Sequence, residues 1–107
     1  MQAGRLRQRI RIEKKTVTRN AVGEEVIVWT PLVSLWSSIE PLRGREYLEA
    51  KQVQASVDAR IRVRYQPEIL PSMRVVFGDR VYAIESVIHV SEGKRETQLM
   101  VTEQING

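Results

Sequence analysis

The sequence predicts a mainly β protein: a small antiparallel barrel or sandwich of about seven strands, with one short helix or long loop inserted between strands three and four. Three observations carry this. Apolar and polar residues alternate with period two, most clearly where Ala59, Ile61, Val63 and Tyr65 fall on one face and Arg60, Arg62 and Arg64 on the other. Turn chemistry punctuates the chain at Asn20 to Gly23, Gly78-Asp79 and Ser91-Glu92-Gly93-Lys94. The connections between the alternating segments are also too short for parallel crossovers, so the sheet must be mostly antiparallel.

Taken in order, Arg9-Ile10-Arg11-Ile12-Glu13-Lys14 alternates charged and apolar residues and continues through Thr16-Val17-Thr18 to the turn at Arg19-Asn20-Ala21-Val22-Gly23. Val26 to Thr30, rich in β-branched and aromatic residues, is the return strand of a hairpin, and Pro31 ends or bulges it because proline cannot donate to a ladder. A third strand runs from Val33 to Glu40, with Val33, Leu35, Ser37 and Ile39 on one side and Trp36 on the other; Pro41 breaks it. Arg43 to Gln54 shows no alternation and is rich in Glu, Ala, Leu and Gln, so residues 41–55 are expected to form a helical or looped excursion. Val57 to Tyr65 is the fourth strand, and Gln66 to Pro71 is a loop stiffened by two prolines. Met73 to Phe77, Arg80 to Val90 and Glu96 to Glu103 complete the set. A basic arm (residues 1–8) and a tail (residues 104–107) flank what reads as one domain over 1–107.

Composition narrows the function. The chain has 107 residues, 42% hydrophobic and 28% charged, a globular balance with room for one core. It has no cysteine, which excludes disulfides and thiolate metal sites. No apolar run follows the basic N-terminus and none reaches the roughly twenty residues that span a bilayer, so a cytoplasmic setting without membrane contact is expected. The single histidine, His89, lies late in a strand without ligand-spaced neighbours. Glu40, Glu46 and Glu49 share their segment with Arg43 and Arg45, which reads as ion pairing rather than a catalytic carboxylate pair. No phosphate-binding glycine loop or nucleophile motif is present. The expectation is a protein with no catalytic residues, metal or cofactor.

Net charge is +4, and thirteen of the 17 basic residues are arginine, whose planar fork suits carboxylate and phosphate equally. Arg60, Arg62 and Arg64 repel one another unless an anion lies against them. Carboxylates come ahead of phosphate, with Glu85 and Glu96 or another subunit as candidates. Arg5, Arg7, Arg9 and Arg11 form a second basic set on an N-terminal arm suited to DNA or an acidic partner. Trp36, set against the apolar side of its strand, is a candidate interface anchor.

In this order and spacing, the chain resembles the phage head–tail joining family, the small head-closure or stopper proteins of long-tailed phages and prophages. The similarity begins at Ala3-Gly4-Arg5-Leu6-Arg7 and continues through Thr18 to Glu24 followed by Trp29. It is most specific at Leu35-Trp36-Ser37-Ser38-Ile39-Glu40-Pro41-Leu42-Arg43-Gly44-Arg45-Glu46-Tyr47. Arg60 to Tyr65, Pro71 to Val75, Arg80 to Ile84 and the last strand extend it over nearly the whole chain. The turn Asn20-Ala21-Val22-Gly23-Glu24 departs from the Asp and Gly pair often found there. The resemblance implies a virion protein, assembled in the bacterial cytoplasm, that forms a ring with copies of itself under the portal and adaptor. That ring would seal the DNA channel, meet double-stranded DNA non-specifically and join the tail. Arg43, Arg45, Glu46, Tyr47 and Trp36 are the expected subunit or partner contacts; Arg5, Arg7, Arg60, Arg62 and Arg64 are expected to face DNA or to form ion pairs. The alternative is a free-standing OB-like barrel that binds nucleic acid, disfavoured by an aromatic content of only 6%.

Overall fold

The computed structural model describes residues 6–42, 57–93 and 95–104. Six strands, β1 (Gln8–Arg19), β2 (Glu25–Pro41), β3 (Ala59–Arg64), β4 (Arg74–Phe77), β5 (Arg80–Val90) and β6 (Glu96–Gln104), close into an antiparallel barrel in the order β1-β2-β3-β6-β5-β4. Closure removes most open edges, the recurrent weakness of a small sheet. The mainly β, antiparallel expectation holds, with six strands in place of about seven.

The difference lies at Pro31. The predicted second and third strands are one continuous strand, β2, and Pro31 sits inside it opposite Glu13. Register runs Ile12 to Val33 and then Glu13 to Pro31, so Leu32 is an extra residue without a cross-strand partner. A bulge of this kind absorbs a residue that cannot donate. It also reverses the alternation of β2. Val33, Leu35 and Ile39 pack toward the core, whereas past the bulge Trp29 pairs with Lys15 on the outer face.

The core is built from the inward residues of every strand. Ile10, Ile12, Ile61, Val63, Val75, Tyr82, Leu99 and Val101 are buried, together with Ile69 from the proline-bounded loop. That loop is tied down where the Gln66 N–H donates to Thr97 Oγ1 at 2.8 Å and the Met73 N–H to the Leu70 carbonyl at 3.0 Å. At another rim, the Leu42 N–H donates to the Asp58 carbonyl at 3.1 Å and the Asp58 N–H to the Val101 carbonyl at 2.8 Å. The excursion predicted at residues 41–55 therefore leaves and re-enters the barrel at one place; residues 43–56 themselves lie outside the described residues.

Beyond the barrel, among the described residues, Lys14 to Arg19 pair only with Thr30 to Glu25. The molecule measures 49 by 27 by 25 Å, and these paired residues form a two-stranded ribbon. Its tip turns at Asn20, whose Oδ1 accepts from the Val22 and Glu24 N–H groups at 3.1 and 3.0 Å. Gly23 closes the turn at φ +86°, a left-handed conformation that costs a residue with a Cβ about 1–2 kcal/mol. Gly23→Ala is expected to lower unfolding free energy by about that amount, read from the urea midpoint at unchanged slope.

Candidate functional site

The outer wall of β1, β2, β3 and β6 carries the arginines. Cross-strand neighbours are Arg9 with Trp36, Ser38 with Arg62, Glu40 with Arg60, and Arg64 with Glu96. Arg62 reaches diagonally to Glu96, donating from Nε and NH2 to the two carboxylate oxygens at 2.9 Å each. Its NH1 lies 3.6 Å from Glu40, which also sits 3.8 Å from Arg60. Two members of the ladder, Arg60 and Arg62, thus have carboxylates of the same chain against them, Glu40 and Glu96. Glu85 is not part of it: it is the extra residue at a β5 bulge and accepts from Thr102 Oγ1 at 3.2 Å. Hydrogen bonds from Arg62 hold the Glu96 carboxyl below the usual carboxylate range against its burial, and Glu96 in turn raises Arg62. Arg64 is exposed, with no ion pair among the described residues.

Two sites of the predicted basic arm are corrected. Arg9 and Arg11 are strand residues, not arm residues, because β1 begins at Gln8. Arg9 stacks its guanidinium over Trp36 at 5.2 Å, and Arg11 Nε donates to Glu13 at 2.8 Å. Arg7 is described but precedes the strand; Arg5, like Arg43, Arg45, Glu46 and Tyr47, lies outside the described residues. Trp36 faces outward and is 51% exposed, a large surface for an indole to leave in water.

The ribbon is a second surface, and reading the sequence strand by strand missed it. Val17, Val22, Val26, Ile27 and Val28 are all exposed. The signal was the uninterrupted run Val26-Ile27-Val28-Trp29, since four apolar residues in a row give a strand two apolar faces. The root of the ribbon is latched to β4. Glu13, buried, accepts from Arg74 Nε and NH2 at 2.7 Å and from Arg11, while the Arg74 guanidinium lies 4.4 Å over Trp29. Burial raises the Glu13 pKa, but hydrogen bonds and charge from Arg74 and Arg11 outweigh it and leave the carboxyl below its ordinary value. A cleft of ≈450 Å³ opens beside this latch, lined by Lys15, Trp29, Met73, Arg74, Ala83 and Ile84 among others.

His89 is an exposed strand residue whose Nδ1 lies 3.0 Å from Thr97 Oγ1 and whose ring meets Tyr65 edge-on at 5.8 Å. Among the described residues, no group of His, Asp and Glu is placed to hold a metal ion. The surfaces that stand out are those that bind by area and charge.

The sequence matches the phage head completion protein family over residues 1–104. The chain belongs to that family. Head completion proteins are structural components of the phage particle, so this chain is a virion assembly protein. Two solved structures share its fold. Protein SF1141 from Shigella flexneri 2a, solved in solution, is 27% identical with a TM-score of 0.72, covering 95% of this chain and 96% of that one. A chain from the virion of a native gene transfer agent particle is 16% identical with a TM-score of 0.61, covering 95% and 98%. No curated protein matches the chain significantly.

Proposed function

We propose that this head completion protein is the head-closure connector: a ring of copies under the portal and its adaptor that seals the DNA channel and receives the tail. The observation that carries the reading is the family match across 1–104, nearly the full chain. The geometry supports it. A small closed barrel offers a rigid ring subunit, and the exposed surfaces, Trp36 with Arg9 and the apolar ribbon, are those of a protein that docks. The excursion rooted at Leu42 and Asp58, with Arg43, Arg45, Glu46 and Tyr47, is the proposed contact to a neighbouring ring. Arg64 is the proposed contact to DNA phosphates, because Arg60 and Arg62 already have carboxylates against them; Arg5 and Arg7 are proposed to join it on their charge alone.

Electron microscopy of particles from a strain lacking the chain tests this. DNA-leaking heads separated from finished tails are expected; normal intact virions would overturn the reading. The OB-like alternative predicts tight, salt-dependent DNA binding by the isolated protein. The connector predicts weak binding that falls further in an Arg64→Ala variant, measured by fluorescence anisotropy at two salt concentrations.

A further inference from the structure

β4 is four residues long between strands of 12 and 11, and its shortness leaves, among the described residues, open stretches on both of its neighbours. β1 pairs with β4 only at Arg11 to Glu13, so Lys14 to Arg19 have β2 on one side and no strand on the other among the described residues. β5 pairs with β4 only at Arg80 to Ala83, so among the described residues Ile84 to Val90 have β6 on one side and no strand on the other. Lys15 and Ile84, at the start of each edge, line the same cleft, which keeps the two apart within one chain.

We propose that the ribbon of one copy adds its β1 edge to the β5 edge of a second copy. The proposal rests on the ring reading above and gives that ring a contact. Length, charge and apolar surface all agree. Six open residues on β1 face seven on β5. The β1 edge carries the cations Lys14 and Lys15, with Arg19 held by Glu25 of its own ribbon at 3.8 Å, while the β5 edge carries Glu85 at its bulge and Glu92 just past its end. Val17, 53% exposed, and Ile88, 47% exposed, supply the apolar centre, flanked by Ile27 opposite Val17. An isolated two-stranded ribbon is marginal in water, and an apolar one with open edges invites strand addition, so covering it stabilises the very segment that docks. Six residues at about 3.4 Å each make the ribbon about 20 Å long. That nearly spans a neighbouring barrel, given a short axis of 25 Å. The two edges are different surfaces, so the contact is heterologous and propagates head to tail, which closes into a ring when the rotation permits.

The chain has no cysteine, so engineered ones report a single contact. Val17→Cys and Ile88→Cys proteins, each folded by circular dichroism, are mixed at millimolar concentration and oxidised. A mixed disulfide dimer is expected, with neither protein dimerising alone. Lys15→Glu is expected to reduce its yield about fivefold and Glu85→Lys in the other protein to restore it. The double variant is then oxidised within purified particles, where linked oligomers are expected. Particles that contain the chain but show no 17–88 linkage overturn the contact and leave the ring reading standing. Particles without the chain overturn the ring reading, and the mixing experiment then decides the contact alone. Dimers of Val17→Cys with itself, or no mixed dimer in solution and none in particles, overturn the proposal.

Discussion

Glu13→Ala is expected to cost about 1–3 kcal/mol of unfolding free energy, the loss usual when the hydrogen-bond partner of a part-buried charge is removed. Glu13 is 5% exposed and accepts from two arginines, so its removal leaves Arg74, 28% exposed over Trp29, without its carboxylate and frees the latch between ribbon and barrel. Trp29 should report this directly, because its cover is Arg74. Its fluorescence in the native state is expected to shift toward that of exposed indole, a change that a uniform loss of stability would not produce. The pH dependence follows from the sign of the shifts. Glu13 and Glu96 both have folded pKa values below the ordinary value of about 4.3 for an unfolded glutamate. Their contribution is present above that value and disappears as pH falls through the folded ones. Acid unfolding of the wild type should therefore steepen below about pH 5, and Glu13→Gln with Glu96→Gln should flatten the curve of stability against pH there. An unchanged acid limb in the double variant would contradict the ion-pair assignment.

Arg62→Ala is expected to cost about 3 kcal/mol, whereas Arg64→Ala should change stability by less than about 0.5 kcal/mol. The two arginines lie two residues apart on one strand face, so propensity and spacing treat them alike. They differ in partner. Arg62 holds both oxygens of the 5% exposed Glu96 and lies near Glu40, while Arg64 projects into solvent. Replacing Arg62 and Glu96 together by methionine should recover most of the loss, because the cost of the single change is the charge left buried, not the pair's net contribution. Thermal unfolding of the three variants checks the order. An Arg64→Ala protein as unstable as Arg62→Ala would mean that the whole ladder is structural, and Arg64 would no longer be a candidate for an external phosphate.

Arg60, Arg62 and Arg64 also show how far the sequence could be read. Their position on one outer face, and the need for anions against them, follow from alternation and Coulomb repulsion alone. Glu96 was among the partners that reasoning offered. Glu40 lies close to Arg43 and Arg45 along the chain, so local pattern points it to them; only the β2–β3 register brings it opposite Arg60. Pro31 shows a different limit. That a proline must end or bulge a strand is local chemistry, but the choice depended on Glu13 and Leu32 across the hairpin. The bulge won because β1 continues on the other side and holds β2 together past it.

The sequence by itself determined the β class, the strand faces, the turns and the family, because period-two patterning, glycine and proline act within a few residues of themselves. Only the tertiary structure decided that the sheet closes, that Glu13 and Arg74 meet across the β1–β4 seam, that Trp29 is turned outward by a bulge, and that the apolar hairpin projects uncovered. Each of these depends on which strands become neighbours and how long each one is. Neighbours are chosen by burying the whole core at once, a sum over residues far apart in the chain that no local pattern contains.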